Sequence, residues 1–503
     1  MTAARKRFLY NGILLTLAAL AVKSAQLFFS SALSKHVGAE AIGLYTLIGS
    51  VYSFAVTFAS AGVTLTVTRL VAAAIGEGKE KEIAGIVKSA VIYALIFSGA
   101  ASIALGFGAE YLSVSVLSDS RAALSLKILS LSLIPIALCA VFSGYFIGVR
   151  RVKRSSFVGV SSQILKMILS LTLAVKFIDT GVEYVTAALC LGGVISELFA
   201  FIFSLVLFLF EKLTKSKSGH EHFSAVSKMA LPLAVSAYIR SALLTLEHVL
   251  IPECLRSRGE NSAQALSSYG LLHGMALPVI LYPMTPLSSF ASLLVPEFAE
   301  IEARKDKIRM CRITEEVLSS VVFYSVPIAV ALAFFSEELG YVLFSSYDAG
   351  RYILTLSPVI PIMYLDHVTD SILKGIGEHV YSMWVNISDS VLSIVLILFL
   401  IPRFGILGYG LVIIIMEAFN FVLSFLRLKK KIPFKKKLVP TFLLSLVMSL
   451  FSVAVADFLM PYSGSTTGAY WLFVKFLFAT CVFLVLFFAA RQIRQSELKK
   501  TNC

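Results

Sequence analysis

Charge is what this chain has least of. Of its 503 residues only 15% are Asp, Glu, Lys or Arg, against about a quarter in a soluble protein, whereas 58% are hydrophobic. The mean hydropathy is +0.86, and no stretch is both long and polar enough to form a soluble domain. These features exclude a water-soluble enzyme and point to an all-α integral membrane protein. Cysteine is scarce and unpatterned. Cys139, Cys190, Cys254, Cys311, Cys481 and Cys503 show no paired spacing, so neither a disulfide framework nor a zinc site is expected. The 7 histidines are equally dispersed, and no metal or other cofactor is expected. Nor is a cleaved leader: Arg5-Lys6-Arg7 precedes an apolar run, but Lys23 interrupts that run and many further apolar segments follow.

A bilayer crossing needs roughly 20 mostly apolar residues. The segments that qualify are 8–33, 41–75, 84–108, 125–148, 156–176, 184–210, 224–250, 263–294, 313–336, 352–376, 380–401, 406–426, 438–460 and 468–490, fourteen in all. The second is long enough for one tilted helix or for two crossings, and two would invert everything downstream. Loop charge decides, because cytoplasmic loops collect Lys and Arg. With one crossing, Arg5 to Arg7, Arg150 to Arg154, Arg304 to Arg312, Arg427 to Lys437 and Arg491 to Lys500 all fall on the same side. The opposite side keeps only scattered residues such as Lys35, Arg121 and Arg403. Both termini are therefore expected in the cytoplasm. The net charge of +14 reads as this topology signal plus attraction to anionic lipid, not as nucleic-acid binding. The segment from Glu297 to Glu316, with charges alternating in sign, reads as a solvated surface helix.

The chain also reads as duplicated. "GLYTLIGSVYSFAV" at 43–56 and "SSYGLLHGMALPVI" at 267–280 both open the second span of a six-span set. "GVRRVKRSSFVGVSSQILKMILSL" from Gly148 and "GIGEHVYSMWVNISDSVLSIVLIL" from Gly375 also occupy matching places. An even number of spans per repeat gives both halves the same orientation, related by an axis along the membrane normal. The expected organisation is a first six-helix lobe at 1–211, a cytoplasmic linker at 212–223 and a second lobe at 224–427. A basic cytoplasmic loop at 428–437 and two further helices with a tail at 438–503 complete it.

Ionisable residues inside spans cost roughly 2.5–3.5 kcal/mol each on insertion scales, so they face a bundle interior or a hydrated path. At the helical rise, Lys23 sits about 24 Å from Arg7 and about 18 Å from Lys35, too far for its stem to reach either flank comfortably. Gln163 and Lys166 share one face of the fifth span, and Arg240 and Glu247 one face of the seventh, where they can pair with each other. Arg69 lies late in the second span, within reach of headgroups. These six are the candidate substrate contacts. Asp366, Asp370 and Lys374 recur every four residues in the tenth span, where Asp370 and Lys374 have the spacing of a local salt bridge. Asn386/Asp389 and Glu417/Asn420 form i, i+3 pairs, and Glu197 occupies a place in the sixth span like that of Glu417 in the twelfth. Asp366, Asp370, Asp389, Glu417 and Glu197 are candidates for coupling or gating. Lys475, seven residues into the last helix, is expected to snorkel outward. The first lobe is thus the more basic, which suits an anionic substrate. The second is the more acidic, which suits H+ or Na+.

Several stretches carry a family resemblance: "KHVGAEAIGLYTLIGSVYSF", "TRLVAAAIGEGKEKE", "FSGYFIGVRRVKRSSFVGVSSQILK", "LVPEFAEIEARKD" and "SILKGIGEHVYSMWVNISDSVLSIVLILFLIPRFGILGYG". They resemble the polysaccharide-exporter branch of the multidrug/oligosaccharidyl-lipid/polysaccharide superfamily, nearest the stage V sporulation protein B family of Gram-positive bacteria. The resemblance implies two six-helix lobes plus two further helices, and a monomeric, multi-pass protein of the bacterial plasma membrane. It implies an alternating-access flippase, not an enzyme, exporting an undecaprenyl-diphosphate-linked oligosaccharide or peptidoglycan precursor. The drive would be H+, Na+ or the membrane potential. The related lipid II flippases carry two basic residues six apart in the first helix. Here Lys23 matches the first and Phe29 stands at the second, and the arginines those flippases carry in helices 2 and 8 have no match, the eighth span having His273 but no arginine. A cation-coupled multidrug exporter of the same superfamily is the alternative, though it commonly has twelve spans and an acidic first lobe. A membrane glycosyltransferase or ligase would need acids on sizeable outer loops. The outer loops here, Pro252–Ser262 and Glu337–Arg351 among the longest, are short.

Overall fold

The computed structural model describes residues 3–211, 220–434, 438–460 and 468–501. Most of the expected linker at 212–223 and the end of the basic loop at 435–437 lie outside the described residues. All regular structure among the described residues is helical. The helices are α1 (Ala3–Val37), α2 (Ala39–Ser60), α3 (Val63–Gly76), α4 (Ile83–Tyr111), α5 (Ala122–Ser130), α6 (Leu133–Gly148) and α7 (Val152–Lys176). They continue as α8 (Val182–Leu209), α9 (His220–Ser257), α10 (Ser262–Tyr269), α11 (Leu277–Leu281), α12 (Met284–Ala303), α13 (Lys307–Phe334) and α14 (Ser336–Phe344). The last six are α15 (Tyr347–Leu356), α16 (Ile360–Gly375), α17 (His379–Phe404), α18 (Ile406–Lys431), α19 (Leu438–Leu459) and α20 (Gly468–Thr501).

Among the described residues, 10 helices are long and apolar enough to cross a membrane, or 12 when the two bent pairs α5–α6 and α10–α12 are each counted as one span. Two expected crossings fall outside that set. One is 8–33, within α1. The other is 352–376, where α16 is only 16 residues long and carries Asp366, Asp370 and Lys374. The ambiguous second segment forms a single candidate span, Ala39–Gly76, interrupted only at Ala61–Gly62, where Gly62 takes φ 76°.

The chain divides into two compact units. One comprises Phe28–Gly270 with Ile394–Ile406, and the other Met1–Leu27, Leu271–Ser393 and Leu407–Cys503. Membership thus differs from a simple halving of the sequence, since α9 and α10 group with α2–α8. In this first unit α2 and α10 meet backbone to backbone. A Cβ on Gly43 would stand 1.9 Å from the Leu266 carbonyl oxygen, and one on Gly270 2.3 Å from that of Ala39. Only glycine permits that approach. A charge network ties the connector before α5 to its neighbours. Asp119 accepts from the Arg121 backbone N–H and guanidinium, whose Nη1 also donates to Glu40 Oε1 at 2.7 Å. Arg256, in the last turn of α9, donates to the carbonyls of Leu117 (3.1 Å) and Ser118 (3.3 Å).

In the second unit the eighth span bends by 59° at Tyr282–Pro283. Proline removes a backbone donor and breaks the ladder, and freed carbonyls in a membrane must find other donors. Tyr324 supplies one to Pro283 (2.7 Å) and Tyr364 another to Ile280 (3.1 Å). Two expectations fail here. The stretch from Glu297 to Glu316 is not one surface helix: α12 ends at Ala303, Lys305 turns with φ 55°, and α13 starts afresh at Lys307, capped by Asp306. Lys475 does not snorkel outward. Its side chain is 0% exposed and binds Asp457 at 2.9 Å and Glu338 at 3.4 Å, with its ammonium 5.3 Å from the Phe335 ring centroid. Two acids on neighbouring helices cost less to satisfy at that depth than an interface out of reach.

Candidate functional site

The first polar group lies in the Phe28–Gly270 unit, where α7 packs along α8. The helices approach closely because Gly192 leaves no room beside Ser170: a Cβ there would stand 2.5 Å from the Ser170 nitrogen. One residue on, Gly193 lies beneath the Lys166 stem, where a Cβ would stand 3.6 Å from Cε. That contact turns Lys166 across α8 rather than back toward Arg150–Arg154. Glu197, one turn beyond Gly193, and Tyr45 on α2 are within electrostatic reach of its ammonium. Yet Lys166 makes no hydrogen bond or ion pair among the described residues, and it is half-buried. Gln163 is half-buried one turn earlier. Nearby, the Tyr52 hydroxyl on α2 bonds Ser132 Oγ at 2.6 Å.

The second group lies in the other unit. Asp366 on α16, Asp389 on α17 and Glu417 on α18 are close enough to feel one another's charge. Asp366 bonds Ser424, two turns beyond Glu417, while its Oδ1 is buried with no hydrogen-bond partner among the described residues. Asn386 turns back onto its own helix, donating to the Ser382 carbonyl at 2.6 Å. Asp370 is not part of this group in the same sense, because Lys374 neutralises it through an i, i+4 ion pair. Glu378, between α16 and α17, is held by Arg427 (2.7 Å) and Lys431 (2.5 Å). Their hydrogen bonds, Lys431 first, keep its carboxyl below the usual range.

The remaining candidates stand apart. Lys23 on α1 is exposed and forms no ion pair among the described residues, while its neighbour Ser24 bonds the Tyr282 hydroxyl at 2.8 Å beside the proline bend. Arg69 and Arg240 are both exposed and form no ion pair among the described residues. Sequence reasoning missed Tyr45, whose place in an apolar run gives no signal. It also missed Ser424, although its spacing of four from Asn420 and seven from Glu417 marks one helix face.

Residues 8–302, more than half of the chain, match the family described as "Polysaccharide biosynthesis protein". The chain belongs to that family. This family member is 22% identical over 516 residues to stage V sporulation protein B of Bacillus subtilis (strain 168), covering 99% of this chain and 98% of that one. Among solved structures it is similar to the lipid II flippase MurJ in an inward closed conformation, with a TM-score of 0.74 at 17% identity, covering 96% of this chain and 99% of that one. An inward-facing multidrug resistance MATE family transporter of the MOP superfamily gives a TM-score of 0.67 at 14% identity, over 83% of this chain and 98% of that one. The fold of this family member is therefore that of a multi-pass membrane protein built as those two are.

Proposed function

We propose that this chain is an alternating-access flippase of the bacterial plasma membrane. Its substrate is an undecaprenyl-diphosphate-linked oligosaccharide or peptidoglycan precursor, exported from the cytoplasmic face. The observation that carries this reading is Lys166: a half-buried ammonium in a family of polysaccharide biosynthesis proteins, with no hydrogen-bond or ion-pair partner for its three donors among the described residues. A cation withdrawn from water needs an anion, and a lipid-linked sugar brings a diphosphate. Lys23, exposed beside the proline bend and without an ion pair among the described residues, is a second cation suited to a diphosphate, and Gln163 is a neutral contact. Arg69, Arg240 and Glu247 belong to this substrate path in the same reading. The lipid tail needs an apolar surface, for which α19 and α20 are candidates. A spanning helix bent at Pro283 is a place where such a path can widen.

Moving two negative charges outward across an inside-negative potential gains about 2.3 kcal/mol per charge per 100 mV, so the potential alone contributes drive. Asp366, Asp389 and Glu417, with Asp370 and Glu197, provide the alternative of coupling to H+ or Na+. Those acids also support a second reading, a cation-coupled multidrug exporter. The protein acts as a monomer, and its basic cytoplasmic segments bind anionic lipid. Reconstitution into proteoliposomes separates the two readings: labelled undecaprenyl-diphosphate sugars are translocated and cationic dyes are not. Dye export without movement of the lipid-linked substrate would refute the flippase reading.

A further inference from the structure

Lys166 and Glu197 are held near each other but not in contact. They share the α7–α8 seam set by Gly192 and Gly193, lie within electrostatic reach, and form no ion pair among the described residues. Lys166 is the charged neighbour that Glu197 feels. Among the described residues Tyr52 on α2 and Cys139 on α6 are the other titratable side chains shown within its reach, and from α5 the Ser125 hydroxyl bonds Thr186 on α8. The carboxylate is thus neither neutralised by a bond nor exposed as a surface charge: it is half-buried. A purely structural pair would close to contact, since the seam already brings the backbones together.

We propose that Glu197 is a positioning residue that limits how tightly Lys166 holds the substrate's diphosphate, so that the substrate is released. This rests on the flippase reading of the same site. A diphosphate bonded to the Lys166 ammonium comes within the reach of Glu197 as well, and like charges in a partly dehydrated site repel. A transporter requires binding strong enough to enter and weak enough to leave. Lys166 supplies the first condition and Glu197 the second.

Titration of the full-length protein in nanodiscs with farnesyl diphosphate, and with uncharged farnesol as the control ligand, tests this. Glu197→Gln binds farnesyl diphosphate about tenfold tighter, which is about 1.4 kcal/mol, and leaves farnesol affinity unchanged. Glu197→Asp, which keeps the charge, stays within about twofold of the wild type, and Lys166→Met binds the diphosphate more weakly. In proteoliposomes Glu197→Gln lowers the maximal translocation rate while lowering the substrate concentration for half-maximal rate. Unchanged or weaker binding of farnesyl diphosphate to Glu197→Gln, in a wild type that binds and translocates, overturns this inference alone. A wild type that neither binds farnesyl diphosphate nor translocates the lipid-linked sugar overturns the flippase reading and this inference with it.

Discussion

Lys475→Met removes the charge that joins α20 to α19 and α14. At an effective dielectric of about 20, contacts of 2.9 Å to Asp457 and 3.4 Å to Glu338 correspond to gross attractions of about 6 and about 5 kcal/mol. Withdrawing the ammonium from water cancels most of this, at several kcal/mol per ion. The Asp457 side chain is 45% exposed and that of Glu338 21%, so water partly rehydrates both once Lys475 is gone. The expected net loss is about 2 kcal/mol, below the ~3–5 kcal/mol of a fully buried broken pair. Glu338 behaves differently from Asp457. Burial raises its carboxyl above the usual range, and Lys475 offsets this only in part. Its ionisation therefore lowers stability as pH rises from the ordinary carboxylate value through the raised one. Glu338→Gln should remove that pH dependence and cost little, because Lys475 keeps Asp457. The assay is denaturant unfolding in detergent followed by tryptophan fluorescence, with Trp471 one turn before Lys475 on α20. A Lys475→Met protein as stable as wild type within about 0.5 kcal/mol, at neutral pH, would show that the cluster does not hold the helices.

Three further outcomes follow from the Phe28–Gly270 unit. Gly43→Ala should destabilise by at least 1–3 kcal/mol, roughly the cost of overpacking, because its Cβ would meet the Leu266 carbonyl. Gly49→Ala, with nothing within 4 Å, should be neutral or slightly stabilising in the same unfolding assay. At Asp119 burial alone would raise the carboxyl, but the Arg121 guanidinium outweighs it and leaves it below the usual value. The stability this contributes is present above the ordinary carboxylate pKa of about 4 and is lost as pH falls through the lower folded value. Arg121→Gln should therefore lower the unfolding midpoint at neutral pH and flatten its fall below pH about 4, which a pH series of melting curves reads directly.

Some of the architecture was legible from local pattern. Apolar length fixed the membrane class, because the thickness of hydrocarbon to be crossed sets the length of each segment by itself, whereas the single second span was read from loop charge. Helical spacing foretold the Asp370–Lys374 pair for the same reason: both partners lie one turn apart. The same local logic failed where a charge had a distant partner. Lys475 has no acid at helical spacing, so sequence sent it to the interface. Its partners are 18 and 137 positions away.

Composition, hydropathy and motifs suffice to identify a helical, multi-pass membrane protein of the polysaccharide biosynthesis family, with its charges in loops and at a few positions inside apolar segments. The folded arrangement of the helices set which of those charges meet. It sealed Lys475 between two acids, left Lys166 without contact across from Glu197, and brought Asp366, Asp389 and Glu417 from three helices together. The reason is range. Hydropathy and capping act within a few residues, whereas a buried charge takes its partner from whichever helix close packing sets beside it, and glycines such as Gly43 and Gly192 set that packing to backbone contact.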